Sequence, residues 1–250
     1  MTIKTEEWEK YMLHYVDTVA MTAPHKEMRK RIAARIHRHA GGRNIKVLDA
    51  GCAAGALLDD IVAVHDGGMH YIGFDQHEKI VALARERHSL DSSAKFRVRD
   101  MNQGFGDERD ADIVVWSLSA YCMQSFEKAI QDSHTALKLG GVLIMVNPWN
   151  PDANPILAAH AEWMKHDASP VERKYFADRQ DSVMHVMAFN KRIAEEAAAE
   201  RYHFLKEGPQ RELVESCGFR VETTTPDELE HTSVMLVARK IDRGKGEGHE

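Results

Sequence analysis

Residues 46–58 read Lys46-Val47-Leu48-Asp49-Ala50-Gly51-Cys52-Ala53-Ala54-Gly55-Ala56-Leu57-Leu58. Residues 46–50 predict a short apolar strand that ends on an acid. A loop of glycine and alanine follows, and the apolar run after Gly55 opens a helix over about 55–65. Small residues let backbone N–H groups approach a ligand closely, at the positive end of a helix. In a parallel α/β sheet such a strand–loop–helix junction is where a nucleotide-like ligand sits.

Working outward, strand and helix signals alternate. Strands are predicted at 46–50, 70–74, 95–99, 112–117 and 142–147, with helices at about 55–65, 77–88 and 124–138. Gly140-Gly141 is expected to close the last of these helices. Repeated β-α units with short apolar strands imply a parallel sheet covered on both faces. Near the C-terminus, Pro209 is expected to open a helix that Gly218 stops. Strands at 219–224 and 232–239 follow, joined by too few residues for a helical crossover, so they should pair antiparallel.

The ends of the predicted strands carry a pattern of acids. Asp49 closes the first. Asp75 follows Tyr71-Ile72-Gly73-Phe74, 26 residues later, with Gln76 beside it. A carboxylate there can accept both hydroxyls of a ribose. Asp100 and Met101 end the third strand, and Ser117 ends the fourth.

These residues together resemble class I S-adenosylmethionine-dependent methyltransferases of the small-molecule type. That family's loop reads acidic-x-Gly-x-Gly-x-Gly, and here Asp49-Ala50-Gly51-Cys52-Ala53-Ala54-Gly55 matches it with Ala53 at the middle glycine. The resemblance implies a Rossmann-like, seven-stranded, mostly parallel sheet with a C-terminal antiparallel hairpin and helices on both faces. It implies S-adenosylmethionine as cofactor, held by Asp49, Gly51, Ala53, Gly55, Asp75 and Gln76, with the adenine near Asp100 and Met101 and the donor methyl near Ser117. If Ala53 has positive φ, it costs about 1 kcal/mol or more relative to glycine. If φ is negative, only a methyl group must be fitted.

The expected chemistry is in-line methyl transfer to an oxygen, nitrogen or carbon nucleophile of a small molecule. Aligning the reactants and excluding water does most of that work. Two other classes are weighed. A nicotinamide-dependent Rossmann oxidoreductase would want Gly-x-Gly-x-x-Gly, and the spacing here differs. A non-catalytic binding or scaffold protein of the same fold would make Ala53 a mark of decay, and the presence of Asp49, Asp75 and Asp100 speaks against it.

Outside residues 44–147 the sequence is less constrained. Trp8, Tyr11, Met12, Tyr15, Val16 and Val19 recur at helical spacing over 5–19. Residues 1–43 are read as N-terminal helices that form a lid, with Tyr15 reaching the site. The main domain then spans 44–241. Residues 148–208, 61 in number and rich in aromatics and histidine, are read as a helical cap over the substrate, with a helix at about 191–203. The alternative is a pad that stabilises the domain or a homodimer. Tyr121, Trp149 and His185 are substrate-site candidates, and His166 and His185 are candidate bases. Residues 242–250 are expected to be disordered.

Composition bounds the rest. The net charge of −6 argues against a nucleic-acid partner. A basic run at 25–46 reads as the solvated face of a helix. No apolar run approaches the roughly 18–20 residues of a membrane span, and the polar N-terminus has no signal-peptide core. Cysteines 52, 122 and 217 are scattered, which predicts neither disulfides nor a zinc site and suits a reducing cytoplasm. The histidines show no metal-binding spacing, so no metal is expected.

Overall fold

The computed structural model describes residues 4–151, 154–197 and 201–242. Two helices come first, α1 (Thr5–Asp17) and α2 (Ala23–Ala40). The sheet then builds through β1 (Ile45–Ala50), α3 (Ala56–Val62), β2 (Met69–Asp75), α4 (Glu78–Arg87), β3 (Ala94–Val98), β4 (Ala111–Ser117), α5 (Phe126–Ala136) and β5 (Leu137–Pro148). The insertion contributes α6 (Asn154–His166), α7 (Pro170–Ala177) and α8 (Gln180–Ala197). The chain closes with α9 (Glu207–Ser216), β6 (Phe219–Asp227) and β7 (Ser233–Lys240).

The seven strands lie in the order β3-β2-β1-β4-β5-β7-β6. β1 to β5 run parallel, and β7 is antiparallel to both β5 and β6. The expected sheet and its antiparallel ending are therefore present. Strand order reverses between β1 and β4, so the crevice of this sheet lies beyond their carboxyl ends.

Alternation along the strands decides which helices cover which face. Val47, Tyr71, Ile113 and Ile144 pack against Met28, Ile32 and Ile36 of α2 and Leu58 and Ile61 of α3. Their neighbours Leu48, Ile72, Val114 and Leu143 pack on the other side against Phe126 and Ile130 of α5 and Val214 of α9. Pro24 lies in the first turn of α2, and Gly41 ends that helix in the left-handed conformation, as its sequence predicts.

Two boundaries differ most from the sequence reading. α5 stops at Ala136, and β5 begins at Leu137 instead of residue 142. Leu137 pairs with Ala111 before the register shifts. Gly140-Gly141 thus lies inside an irregular strand; a Cβ on Gly141 would sit 3.0 Å from the Ala111 carbonyl oxygen. The helix expected at 191–203 falls on α8, which starts at Gln180 and is described to Ala197, with 198–200 outside the described residues. Its buried face (Val186, Phe189, Ile193) lies further toward the N-terminus than the Ala/Glu-rich stretch that drew the prediction. At residues 203–205 the chain is no longer in that helix: His203 N–H donates to the Tyr121 carbonyl oxygen at 2.9 Å.

A third apolar cluster stands apart from the sheet. Tyr11 and Val19 pack with Val186, Phe189 and Ile193, flanked by Trp8, Tyr15, Tyr121 and Tyr202. The Tyr11 and Phe189 rings stack with centroids 4.4 Å apart. α1 is therefore docked on α8 of the insertion. A lone helix of this length is marginal in water, so its position depends on that contact. The expected disordered tail lies outside the described residues from 243 on. Among the described residues, no helix is long and apolar enough to cross a membrane.

Candidate active site

The loop after β1 is fastened to the end of β2. Gly51 and Cys52 N–H donate to the Phe74 carbonyl oxygen at 2.8 and 2.9 Å. Ala53 N–H donates to Asp75 Oδ2 at 3.2 Å, and His77 N–H donates to Asp75 Oδ1 at 3.0 Å. Gly51 has φ 78° and Gly55, which opens α3, has φ 75°. A Cβ on Gly51 would lie 2.4 Å from Ser119 Cβ. Only glycine fits there. Ala53 has φ 46°, so it adopts the left-handed conformation at which alanine costs roughly 1–2 kcal/mol.

This loop borders a cavity of about 400 Å³. Along the sheet edge it is lined by Gly51, Ala53, Asp75, Gln76, Met101 and Ser117. Across from them stand Tyr11 and Tyr15 of α1, Val186 and Ile193 of α8, and Tyr121 and Tyr202. The insertion thus lines the chamber and α1 roofs it. Asp75 is 6% exposed. Burial raises its pKa, while the His77 and Ala53 backbone N–H groups oppose the shift.

The other expected residues are placed differently. Asp49 is under the loop, 1% exposed, and borders a smaller neighbouring pocket together with Tyr15, His25, Gly51 and Ala53. The Tyr71 hydroxyl donates to Asp49 Oδ2, and Asp49 Oδ1 is buried without a partner. Burial pushes the Asp49 carboxyl up to about 7, against the Tyr71 hydrogen bond and reinforced by the charge of Asp75. Gly55 also lies outside the main cavity lining. So does Asp100, whose Oδ1 accepts from Asn102 N–H and from Asn102 Nδ2, both at 2.9 Å. Asn102 itself lines the cavity.

Tyr15 and Tyr121 line the cavity as expected; Trp149, His166 and His185 do not. Trp149 N–H is bound to the Thr232 carbonyl oxygen at 3.0 Å. The His166 side chain is 71% exposed and faces Glu162. His185 packs on His14, ring centroids 4.4 Å apart. Neither histidine is placed to act as a base in this chamber.

His25, hidden in the sequence within a basic run, does reach the cavity. Thr22 Oγ1 donates to the Val19 carbonyl oxygen at 2.7 Å and contacts His25 Nδ1 at 2.9 Å. The hydroxyl proton is used, so His25 Nδ1–H must be the donor to Thr22, leaving Nε2 bare as an acceptor. Burial, helped by Arg29, pushes the His25 pKa down to about 3. Burial also raises Tyr15 to about 12. The roof therefore offers neutral phenols and a neutral imidazole at physiological pH. The basic run is otherwise a partly paired face: Arg29 meets Asp60 at 2.8 Å and Arg31 meets Glu228 at 3.2 Å.

Asp49 gives a pH test. Its folded pKa of about 7 exceeds the roughly 3.9 of an unfolded aspartate. Between those values the folded chain holds a proton that the unfolded chain has lost, so this group makes stability fall as pH rises. Asp49→Asn cannot ionise and keeps an acceptor for Tyr71. Relative to wild type it should gain about 1 kcal/mol or more between pH 5 and pH 8 in denaturant unfolding. A constant difference across that range would contradict the assignment.

Comparison with known proteins agrees with this geometry. A family model described as a methyltransferase domain matches residues 42–206. No curated protein matches the chain. Among solved structures, the CurJ carbon methyltransferase superposes with a TM-score of 0.65 at 15% identity, over 92% of this chain and 58% of that one. Magnesium protoporphyrin IX methyltransferase from Synechocystis PCC 6803, with bound S-adenosylhomocysteine, gives 0.59 at 15% identity, over 94% and 95%. A SAM-dependent methyltransferase from Aquifex aeolicus gives 0.57 at 13% identity, over 95% and 100%. At these identities the likeness establishes the fold. Together with a family match over most of the chain, it answers the question the acid-tipped strands pose: the chain belongs to the methyltransferase-domain family and is an S-adenosylmethionine-dependent methyltransferase.

Proposed function

We propose that this enzyme methylates a small molecule with a largely apolar body, held between the carboxyl edge of the sheet and the α1–α8 roof. The observation that carries this reading is the continuity of the cavity, from Asp75 and Gly51 to Tyr121 and Tyr202. Cofactor and acceptor would share one chamber. The net charge of −6 gives no support for a nucleic-acid substrate.

The residues present fit S-adenosylmethionine. Asp75 faces the cavity, and its carboxylate oxygens, which accept from Ala53 and His77 N–H, have lone pairs left for ribose hydroxyls. Met101 and Asn102 stand where an adenine would rest. Gly51 lines the cavity, and its lack of a side chain lets the loop pack closely on Ser119; the amino-acid end would lie over it. Ser117, which also lines the cavity, would lie near the donor methyl. Asp49, Gly55 and Asp100 would act by supporting the loops from behind. When bound, the cofactor supplies an electrophilic methyl group on a sulfonium.

The chain's own residues would then do three things. The aromatic rings of Tyr11, Tyr15 and Tyr121 exclude water and present faces favourable to a cation. The bare Nε2 of His25 accepts a hydrogen bond from the acceptor or from the cofactor's amine. The protonated phenol of Tyr15 can donate a hydrogen bond without adding charge, while that of Tyr11 is spent on Asn190 Oδ1. The three free cysteines support a reducing cytoplasm as the working compartment.

Asp75 tests the cofactor assignment. Asp75→Ala removes two hydrogen bonds to an ionised group and should weaken S-adenosylmethionine binding by roughly 2–3 kcal/mol, about 30- to 150-fold, in calorimetry. An unchanged affinity in folded Asp75→Ala would overturn it.

α1 is further proposed to be a lid. Its apolar face packs on α8, and the exposed Glu9–Lys79 ion pair ties it to α4, so closure over a ligand is a motion the fold can support. Hydrogen exchange should show residues 5–17 gaining protection when S-adenosylmethionine binds. Strong, equal protection with and without it would make α1 a fixed roof.

A further inference from the structure

The amino-terminal edge of the sheet, opposite the cavity, carries a second cluster of titratable groups. His37 lies in the last turn of α2. His65 and Asp66 lie in the loop between α3 and β2. One potential ligand atom from each of the three falls within 4.8 Å of the others, and this is the only such group of three among the described residues.

Two features separate this cluster from a chance meeting of surface groups. The first is burial without partners. His65 is 8% exposed, yet neither of its ring nitrogens has a hydrogen-bond partner, and the buried Nδ1 of His37 has none either. An imidazole always presents a donor or a bare nitrogen at each position. Buried polar groups of this kind are nearly always satisfied, and an ion is one way to satisfy them. The second is a rigid frame. A Cβ on Gly67 would lie 2.5 Å from the Arg43 carbonyl oxygen, 2.8 Å from that of Gly42 and 2.8 Å from His65 Nε2. Ile45 N–H donates to the Gly68 carbonyl oxygen at 3.0 Å, and Gly68 N–H donates to Asn44 Oδ1 at 2.9 Å. The turn before β1 and the loop before β2 are thus locked together, and they hold the three side chains toward one another.

We propose that His37, His65 and Asp66 form a binding site for a divalent transition metal, with Zn²⁺ the best match. Two neutral imidazoles and a carboxylate are the nitrogen and oxygen donors that Zn²⁺ takes, whereas Mg²⁺ and Ca²⁺ prefer oxygen alone. Three protein ligands leave a fourth position for water on the side of exposed Asp66. The ion would pin the end of α2 to the loop before β2, a stabilising role remote from the chamber. The sequence reading expected no metal, because His37 and His65 stand 28 positions apart on separate elements. The proposal is independent of the methyltransferase assignment.

The test uses the full chain, tag-free and stripped of metal, titrated with Zn²⁺ in a calorimeter and with Co²⁺ by visible absorption. Wild type should bind one Zn²⁺ per chain and unfold at a higher temperature when saturated. Co²⁺ should give ligand-field bands. His37→Gln and Asp66→Asn, at the edge of the cluster, should stay folded by circular dichroism while Zn²⁺ affinity falls at least about tenfold. His65→Gln should remove the bands. Absence of saturable binding to folded wild type would overturn the site. So would unchanged affinity and stoichiometry in His37→Gln and Asp66→Asn.

Discussion

The end of β2 holds the loop after β1 in place, and the candidate active site depends on that latch. Two N–H groups of the loop converge on the Phe74 carbonyl oxygen, and a third reaches the Asp75 carboxylate. The third bond fixes Ala53, which stands in a conformation that an alanine does not choose unaided. The same carboxylate faces the cavity. Asp75 therefore both shapes the loop and presents acceptors to a ligand, which couples the geometry of one strand end to that of the next. Beneath the loop, the Tyr71–Asp49 hydrogen bond ties β2 to β1 a second time, from inside the core.

The chamber above this edge is closed by elements that do not belong to the sheet. α1 is held by aromatic contacts with α8 and by ion pairs of Glu9 with Lys79 and of Asp17 with Arg179, so the roof forms when the N-terminal helix and the insertion meet. What that meeting produces is a largely aromatic and apolar wall, with the charges of Glu196 and Arg201 paired with each other at 3.5 Å. His25 is held neutral by burial and fixed in one tautomer by Thr22. Tyr15 is held protonated by the same burial. For a displacement in which a cationic donor loses its charge, a wall that excludes water without adding charge favours the reaction.

The sheet was legible in the sequence because its signals are local. Apolar runs, glycine loops and acids at strand ends occur within a few residues of the structure they specify. The boundaries that shifted, at Leu137 and Gln180, are those where tertiary pairing outweighed local pattern. Side-chain direction was harder to read. Asp100 stands at the strand end where an acid was expected, with one carboxylate oxygen, Oδ1, turned back to Asn102. Trp149 and His185 lie in the insertion that caps the chamber yet line none of it. Conversely His25 was concealed among lysines and arginines, since nothing in sequence tells which residue of α2 meets the roof. The Thr22-x-x-His25 spacing beside Pro24, at a helix start, was the one available signal.

The central claim is that the latch at Asp75 and the loop after β1 form the nucleoside half of one continuous chamber. A crystal structure of this chain with S-adenosylhomocysteine tests it most directly. Ribose hydroxyls are expected within hydrogen-bond distance of the Asp75 carboxylate, the adenine against Met101 and Asn102, and the amino-acid end over Gly51 beneath α1. A nucleoside bound elsewhere, or seated here without touching Asp75, would contradict it.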